Sequence, residues 1–204
     1  MSEEDKDTEL KIKEAARKIF QEKGFAATKT RDISEAANIN LALLNYYFRS
    51  KKKLFDIIMV ETLQSFFSGL IHLLNNEEST LKDKVILFVD HYMDFFASHP
   101  NVPSFILNAV RENPNEFINK IGVLEQAKGS VFVKQFQEGL MAGAIPPINP
   151  IHFMLNLIGL VAFPYIAQPM ISAAVSVPKD VFFEMIEERK RLIPLWVESM
   201  LSVT

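Results

Sequence analysis

Two sets of side chains in this 204-residue chain have the types and spacing to do chemistry. The first would be acid–base or metal chemistry. The histidines are His72, His91, His99 and His152, and only His91 has close carboxylate neighbours in sequence, Asp90 and Asp94. His91 and Asp94 stand three apart, which puts them on one helix face and would suit two ligands of a shared metal. A hydrogen-bonded or solvated surface pair is the simpler reading. There is no His-Glu-x-x-His pair, no glycine-rich phosphate loop and no nucleophile elbow. The absence of cysteine removes thiolate ligands, disulfides and a cysteine nucleophile, and fits a reducing compartment. Catalytic residues, a metal and a cofactor are therefore not expected, and a helical enzyme is a remote reading.

The second set is the stretch "NINLALLNYYFRSKKK", residues 38–53, in which an apolar run passes through Tyr46, Tyr47 and Phe48 into Lys51, Lys52 and Lys53. Charge elsewhere gives this stretch its meaning. The chain's net charge of −3 is unevenly spread. Residues 1–9 carry a net −4, residues 10–54 a net +7 from eleven Lys/Arg against four Asp/Glu, and residues 55–204 a net −6. A basic segment on an acidic body is the electrostatic footprint of a nucleic-acid-binding module.

The elements that must position these residues read as helix throughout. An apolar fraction of 49% and a charged fraction of 23% are those of an ordinary globule, and seven glycines are too few for a turn-rich all-β chain. In "LKIKEAARKIFQEKGF", Ile12, Ala15, Ala16, Ile19 and Phe20 form one stripe at helical spacing, and Gly24 sits at the expected stop. Thr28 is placed to cap "KTRDISEAA". Asn38 tolerates the left-handed backbone a sharp turn needs, and Asn40 is placed to cap a helix over 41–47. Helix, short turn and helix in about 20 residues is a helix-turn-helix pattern. Further helices are expected at 51–74, 80–98, 102–112, 115–139, 150–174 (with Asn149 as cap and Pro150 in the first turn) and 178–202. The fold class is all-α, with about nine helices.

Residues 10–55 resemble the DNA-binding domain of the TetR family of bacterial transcriptional regulators. The resemblance lies in an ordered series: "AARKIFQEKGF", "ATKTRDIS", "NYYF", "SK" and "LF". Three positions depart from it: Tyr47 stands where many members have histidine, Asn38 where glycine is common, and Ser34 where alanine is common. The resemblance implies a three-helix DNA-binding domain, residues 1–50, and an all-helical ligand-binding and dimerisation domain, residues 51–204. It further implies a cytoplasmic homodimer on double-stranded operator DNA, most simply a repressor released by a small molecule. A regulator of the same fold that activates, or that answers no small molecule, is the alternative.

Within this frame Leu44 and Phe48 turn inward. Asn40, Leu41, Ala42, Leu43 and Asn45 fall on the DNA-facing part of the recognition helix. Asn45 suits a paired contact with adenine, and the apolar three suit thymine methyls or sugar. Tyr46 and Tyr47 place hydroxyls for phosphate oxygens. Lys51 matches the family's phosphate-contacting lysine after Phe-x-Ser, at a helix N-terminus. On the preceding helix Thr28 and Thr30 suit capping with phosphate contact, and Arg31 suits a base or the backbone.

Fourteen of the seventeen phenylalanines lie beyond residue 54. They suggest a helical core holding an apolar ligand pocket, with a small hydrophobic or aromatic effector. Candidate lining residues are Phe67, Phe88, Tyr92, Phe96, Phe105, Asn108, Arg111, Phe132, Gln135, Phe136, Phe153, Asn156 and Gln168. The last two helices are the expected dimer interface, through Leu157, Phe182, Met185, Ile186, Ile193 and Trp196, with the charged run 187–191 solvated. Residues 151–177 hold no charge and are long enough to span a bilayer, but two internal prolines, His152, Asn156 and Gln168 argue for a buried or subunit-facing helix and against a membrane partner. The acidic N-terminus lacks the apolar run of a secretory signal.

Overall fold

The computed structural model describes residues 3–99, 102–176 and 178–202. Among these, eleven helices and no strand are present. The chain divides into two compact units, Met1–Ser65 and Phe66–Thr204.

The first unit is built from α1 (Glu3–Ala27), α2 (Thr30–Ala36), α3 (Leu41–Phe48) and the first part of α4 (Lys51–Leu74). Regular helix in α1 is interrupted at Gly24, whose φ of 75° is a conformation glycine adopts without steric cost. The stripe read from sequence forms the core: Ile12, Ala16 and Phe20 are buried with Ile33, Leu44, Phe48, Leu54 and Ile58. Phe20 meets the edge of Phe55 at 5.1 Å between ring centroids. Around this core, Lys13 Nζ donates to Glu61 at 2.8 Å, and Arg17 donates to Glu61 at 3.2 Å and to Thr62 Oγ1 at 2.6 Å. Glu61 holds the Lys13 ammonium above the usual lysine value, against the opposing effect of its burial. These contacts explain why the compact unit extends past residue 50, where the sequence suggests a boundary, into the first half of α4.

The second unit centres on α5 (Leu81–Ser98), against which α9 (Val131–Met141), α10 (Pro150–Val175) and α11 (Lys179–Leu201) pack. Phe88, Val89, Tyr92 and Phe96 of α5 are buried with Phe153, Val161, Phe182 and Ile193. Tyr165 Oη of α10 donates to the Met93 carbonyl of α5 at 2.8 Å. Asn149 Oδ1 accepts from the Ile151 N–H at 2.9 Å, so α10 starts as its cap and proline predict. α6 (Val102–Glu112) and α7 (Pro114–Ile121) form a neighbouring pair.

The expected helix over 115–139 is instead three pieces: α7, α8 (Leu124–Lys128) and α9. Gly122, at φ 72°, ends α7 with its N–H on the Ile118 carbonyl. Ser130 then caps α9 through the Val133 N–H. Both signals are local, and the apolar pattern runs through them.

Lys84 is the one buried lysine among the described residues. Its ammonium donates to the carbonyls of Asn76 and Ser79 and to Ser79 Oγ, closing the α4–α5 turn, and burial pushes its pKa down. By length and composition alone α4 and α10 could each cross a membrane. In α10 one face packs on α5 and α11.

Candidate nucleic-acid interface

Asn40 builds the start of the recognition helix. Its Oδ1 accepts from the Leu43 N–H at 2.8 Å, satisfying one of the donors a helix N-terminus leaves unpaired. Asn38, at φ 52°, makes the left-handed turn from α2. Leu44 and Phe48 are buried and anchor α3 to its domain. On the outer side Ala42, Asn45 and Tyr46 are exposed, Tyr46 at 77%, while Leu41 and Leu43 are half-buried. The spacing 42, 45, 46 is one helical ridge, so Asn45 and Tyr46 stand together on the outward face. Leu41 and Leu43 divide their surface between the domain and solvent.

Tyr47 is placed differently from the sequence expectation. It is half-buried, and its hydroxyl donates to Asp5 Oδ1 on α1 at 3.0 Å. Partial burial and the Asp5 carboxylate hold its phenol above the ordinary tyrosine value, so the hydroxyl keeps its proton at neutral pH. In the DNA-free chain that hydroxyl's hydrogen bond is donated to Asp5.

Lys51 is also held within the domain. Its Nζ donates to the carbonyls of Phe25 and Thr28, each at 2.8 Å, and lies 4.4 Å from the centroid of the Phe25 ring. An ammonium has three donors. Two of them tie the start of α4 to the α1–α2 connection, so Lys51 is first a strut. Lys52 pairs with Asp56 at 2.9 Å.

Thr28 corrects the sequence reading. It is buried, and its hydroxyl donates to the Gly24 carbonyl at 2.7 Å, so it neither caps α2 nor faces DNA. The cap position falls to Lys29, whose N–H donates to Asp32 Oδ2 at 2.9 Å. That hydrogen bond, helped by Lys23, holds the Asp32 carboxyl below the usual carboxylate range. Thr30 opens α2 and is half-buried, and Arg31 follows it, exposed. Among the described residues neither Arg31 nor Arg49 pairs with a carboxylate. Arg49, exposed at the C-terminal end of α3, is a cation the sequence reading passed over. Its place directly after Phe48, the last residue of the recognition helix, was the available signal.

In the second unit several predicted residues do not meet. Phe88, Tyr92, Phe96, Phe132, Phe136 and Phe153 are buried, with Phe136 and Phe153 at 4.9 Å between centroids. Phe67, Phe105 and Gln168 are half-buried. Asn108, Arg111 and Asn156 are exposed, Asn156 lying against Met200 Sδ at 3.5 Å, so these three do not line an interior pocket. Helical periodicity could not show this, because each lies on a helix whose inner face was unknown. Gln135 points inward: Nε2 donates to the Ser79 carbonyl at 3.0 Å, and Oε1 is buried without a hydrogen-bond partner.

The predicted dimer contacts need the same correction. Leu157, Phe182, Ile186 and Ile193 are buried within their own subunit, against α5 and its neighbours, and cannot meet a second chain. Met185 and Trp196 remain exposed. The charged run of α11 is not all solvated either. Arg189 donates to the Leu160 carbonyl at 2.9 Å and lies over the Trp196 ring, and Lys190 pairs with Asp94 and Glu187. His91 stacks on Phe66 with Nε2 3.1 Å from the Phe66 carbonyl, and no group of three metal-ligating side chains occurs among the described residues.

Comparison with known proteins agrees with this geometry. Residues 12–58 match the family model described as bacterial regulatory proteins, tetR family. YttP, a probable HTH-type transcriptional regulator of Bacillus subtilis strain 168, is 23% identical over 196 residues, spanning 95% of this chain and 93% of that protein. A TetR/AcrR-family regulator from Thermobifida fusca YX-ER1 has the same fold, with a TM-score of 0.68, 17% identity, and coverage of 92% of this chain and 97% of that one. The regulator FadR from Bacillus subtilis, solved in complex with stearoyl-CoA, gives 0.59 at 17% identity, covering 90% and 96%. A capped recognition helix with an outward polar ridge, in a basic three-helix domain, is a DNA-reading device, and residues 12–58 of this DNA-binding regulator are similar to the DNA-binding region of the tetR family of bacterial regulatory proteins.

Proposed function

We propose that the chain acts as a homodimeric repressor whose grip on operator DNA is released by a small apolar molecule. The observation that carries the dimer is an apolar face left open on α10 and α11. Ile151, Leu155, Phe163 and Met170 of α10 are each at least 60% exposed, and Met185, Leu195 and Trp196 of α11 extend the patch. A solvent-facing run of large apolar side chains on two long helices suits burial against its own copy, helix pair on helix pair. Two chains then present two recognition helices to half-sites about one helical turn apart or a multiple of it. A dimer seated on a promoter in this way excludes other proteins from the same duplex, which is repression by occupancy. A cytoplasmic location goes with this DNA-binding reading.

The effector reading rests on the aromatic interior of the second unit. Phe132, Phe136 and Phe153 offer apolar surface, and the buried Oε1 of Gln135 offers one acceptor for a ligand N–H or O–H. An apolar molecule with a single donor fits that chemistry, and the stearoyl-CoA bound by FadR is an example of an acyl ligand in a protein of this fold. Light scattering at micromolar concentration tests the dimer: the expected mass is twice 23.2 kDa, and titration of an operator duplex should saturate at two chains. A single-chain mass that persists on DNA would sink the proposal.

A further inference from the structure

We propose that Arg49 is a DNA-backbone contact, set at the end of the recognition ridge to grip a phosphate beside the bases that α3 reads. The inference rests on the DNA-binding function and adds a residue to it. Ala42, Asn45 and Tyr46 are exposed on α3 at the spacing i, i+3, i+4, while Leu44 and Phe48 are buried behind them. Arg49, also exposed, is the residue that follows α3, so it stands just beyond the C-terminal end of this ridge without continuing its helical spacing.

Three observations define its role. It bears an uncompensated charge, since no carboxylate of the described residues pairs with it. Its backbone is fixed: the N–H donates to the Asn45 carbonyl at 2.9 Å, and Ser50 Oγ then accepts from the Lys53 N–H at 3.1 Å to open α4. The guanidinium is therefore carried on a two-residue turn held by helices on both sides. Finally, Arg49 has φ 59° and ψ −36°, a region where glycine sits with less strain than any L residue. The turn itself does not call for an arginine, so its use lies in the side chain.

Position selects phosphate over base. A recognition helix of this kind presents its N-terminal residues to base edges, and Arg49 follows the C-terminal end, towards the rim of the groove. Arginine's planar fork matches two phosphate oxygens at once.

The test uses the full-length protein and a duplex recovered by binding selection from random sequence, with a scrambled duplex as control. Arg49→Gly should melt at the same temperature as wild type or higher, because glycine relieves the turn. It should nevertheless bind the selected and scrambled duplexes more weakly by the same factor. The slope of log K against log salt should become shallower by about 0.9 for each phosphate no longer neutralised, one per bound chain. Arg49→Lys should restore most of the slope. Unchanged affinity and slope in Arg49→Gly would overturn the proposal. So would weaker binding accompanied by a lower melting temperature, which would make Arg49 structural, or weakening confined to the selected duplex, which would make it a base contact. Failure of the wild type to bind any duplex would instead strike the DNA-binding function itself.

Discussion

Phe20→Ala is expected to abolish operator binding by unfolding the first unit. Phe20 is 1% exposed, its ring edge-on to Phe55 at 5.1 Å and 6.1 Å from Phe25. Truncating a buried phenylalanine costs about 3–5 kcal/mol, from lost transfer energy and the cavity left behind. A unit spanning Met1–Ser65 has roughly 3–10 kcal/mol of stability in total, at the usual 0.05–0.15 kcal/mol per residue. One side chain therefore carries a large share of what keeps the recognition helix in place. Hydrogen exchange should show protection across α1–α3 falling at least about a hundredfold, as roughly 3 kcal/mol implies, with operator affinity falling in step with the folded fraction. Near-native protection with intact affinity would show that the small core is not what holds the site.

The second large effect concerns the open apolar face of α10 and α11, which the proposed dimer would cover. Leu155→Glu combined with Phe163→Glu should give a folded monomer. Both side chains are exposed, at 62% and 60%, so the isolated subunit can solvate the new carboxylates. A dimer would have to bury four of them, each without a partner, at a cost that opposes association strongly. The mass by light scattering should fall to 23.2 kDa. Operator affinity should fall by about 10²–10⁴-fold, the gain that linking two binding modules normally confers. A variant that stays dimeric would move the interface elsewhere. A monomer with undiminished affinity would remove the two-half-site reading.

The first unit was legible because its signals are local. The stripe from Ile12 to Phe20, the left-handed Asn38 and the Asn40 cap each depend on residues within a few positions, and all stand as read. What sequence could not give is what distant residues do to one another. Tyr47 reads as a free hydroxyl, whereas in the structure it donates a hydrogen bond to Asp5, 42 residues away. Lys51, read as a phosphate contact, also donates to the Phe25 and Thr28 carbonyls, a strut between distant residues that sequence does not show. Thr28, read as a cap, is drawn inside by the turn at Gly24.

The second unit was less legible for another reason. α10 is apolar on every side, because one face meets α5 and α11 while the opposite face is open, and periodicity cannot separate a core face from a docking face. On α11 Phe182, Ile186 and Ile193, expected from sequence at a dimer interface, are core, while Met185 and Trp196 are exposed.

The central claim is that an exposed ridge on α3 reads operator sequence in two symmetric half-sites. Selection of duplexes from a random pool, with wild type and Asn45→Ala in parallel, tests it most directly. Wild type should enrich an inverted repeat with half-site centres about one helical turn apart or a multiple of it. Asn45→Ala should lose discrimination at one base pair in each half-site, worth about 1–3 kcal/mol per base pair, without changing the salt slope. A wild-type pool with no enriched sequence, or an Asn45→Ala pool indistinguishable from it, would contradict the account.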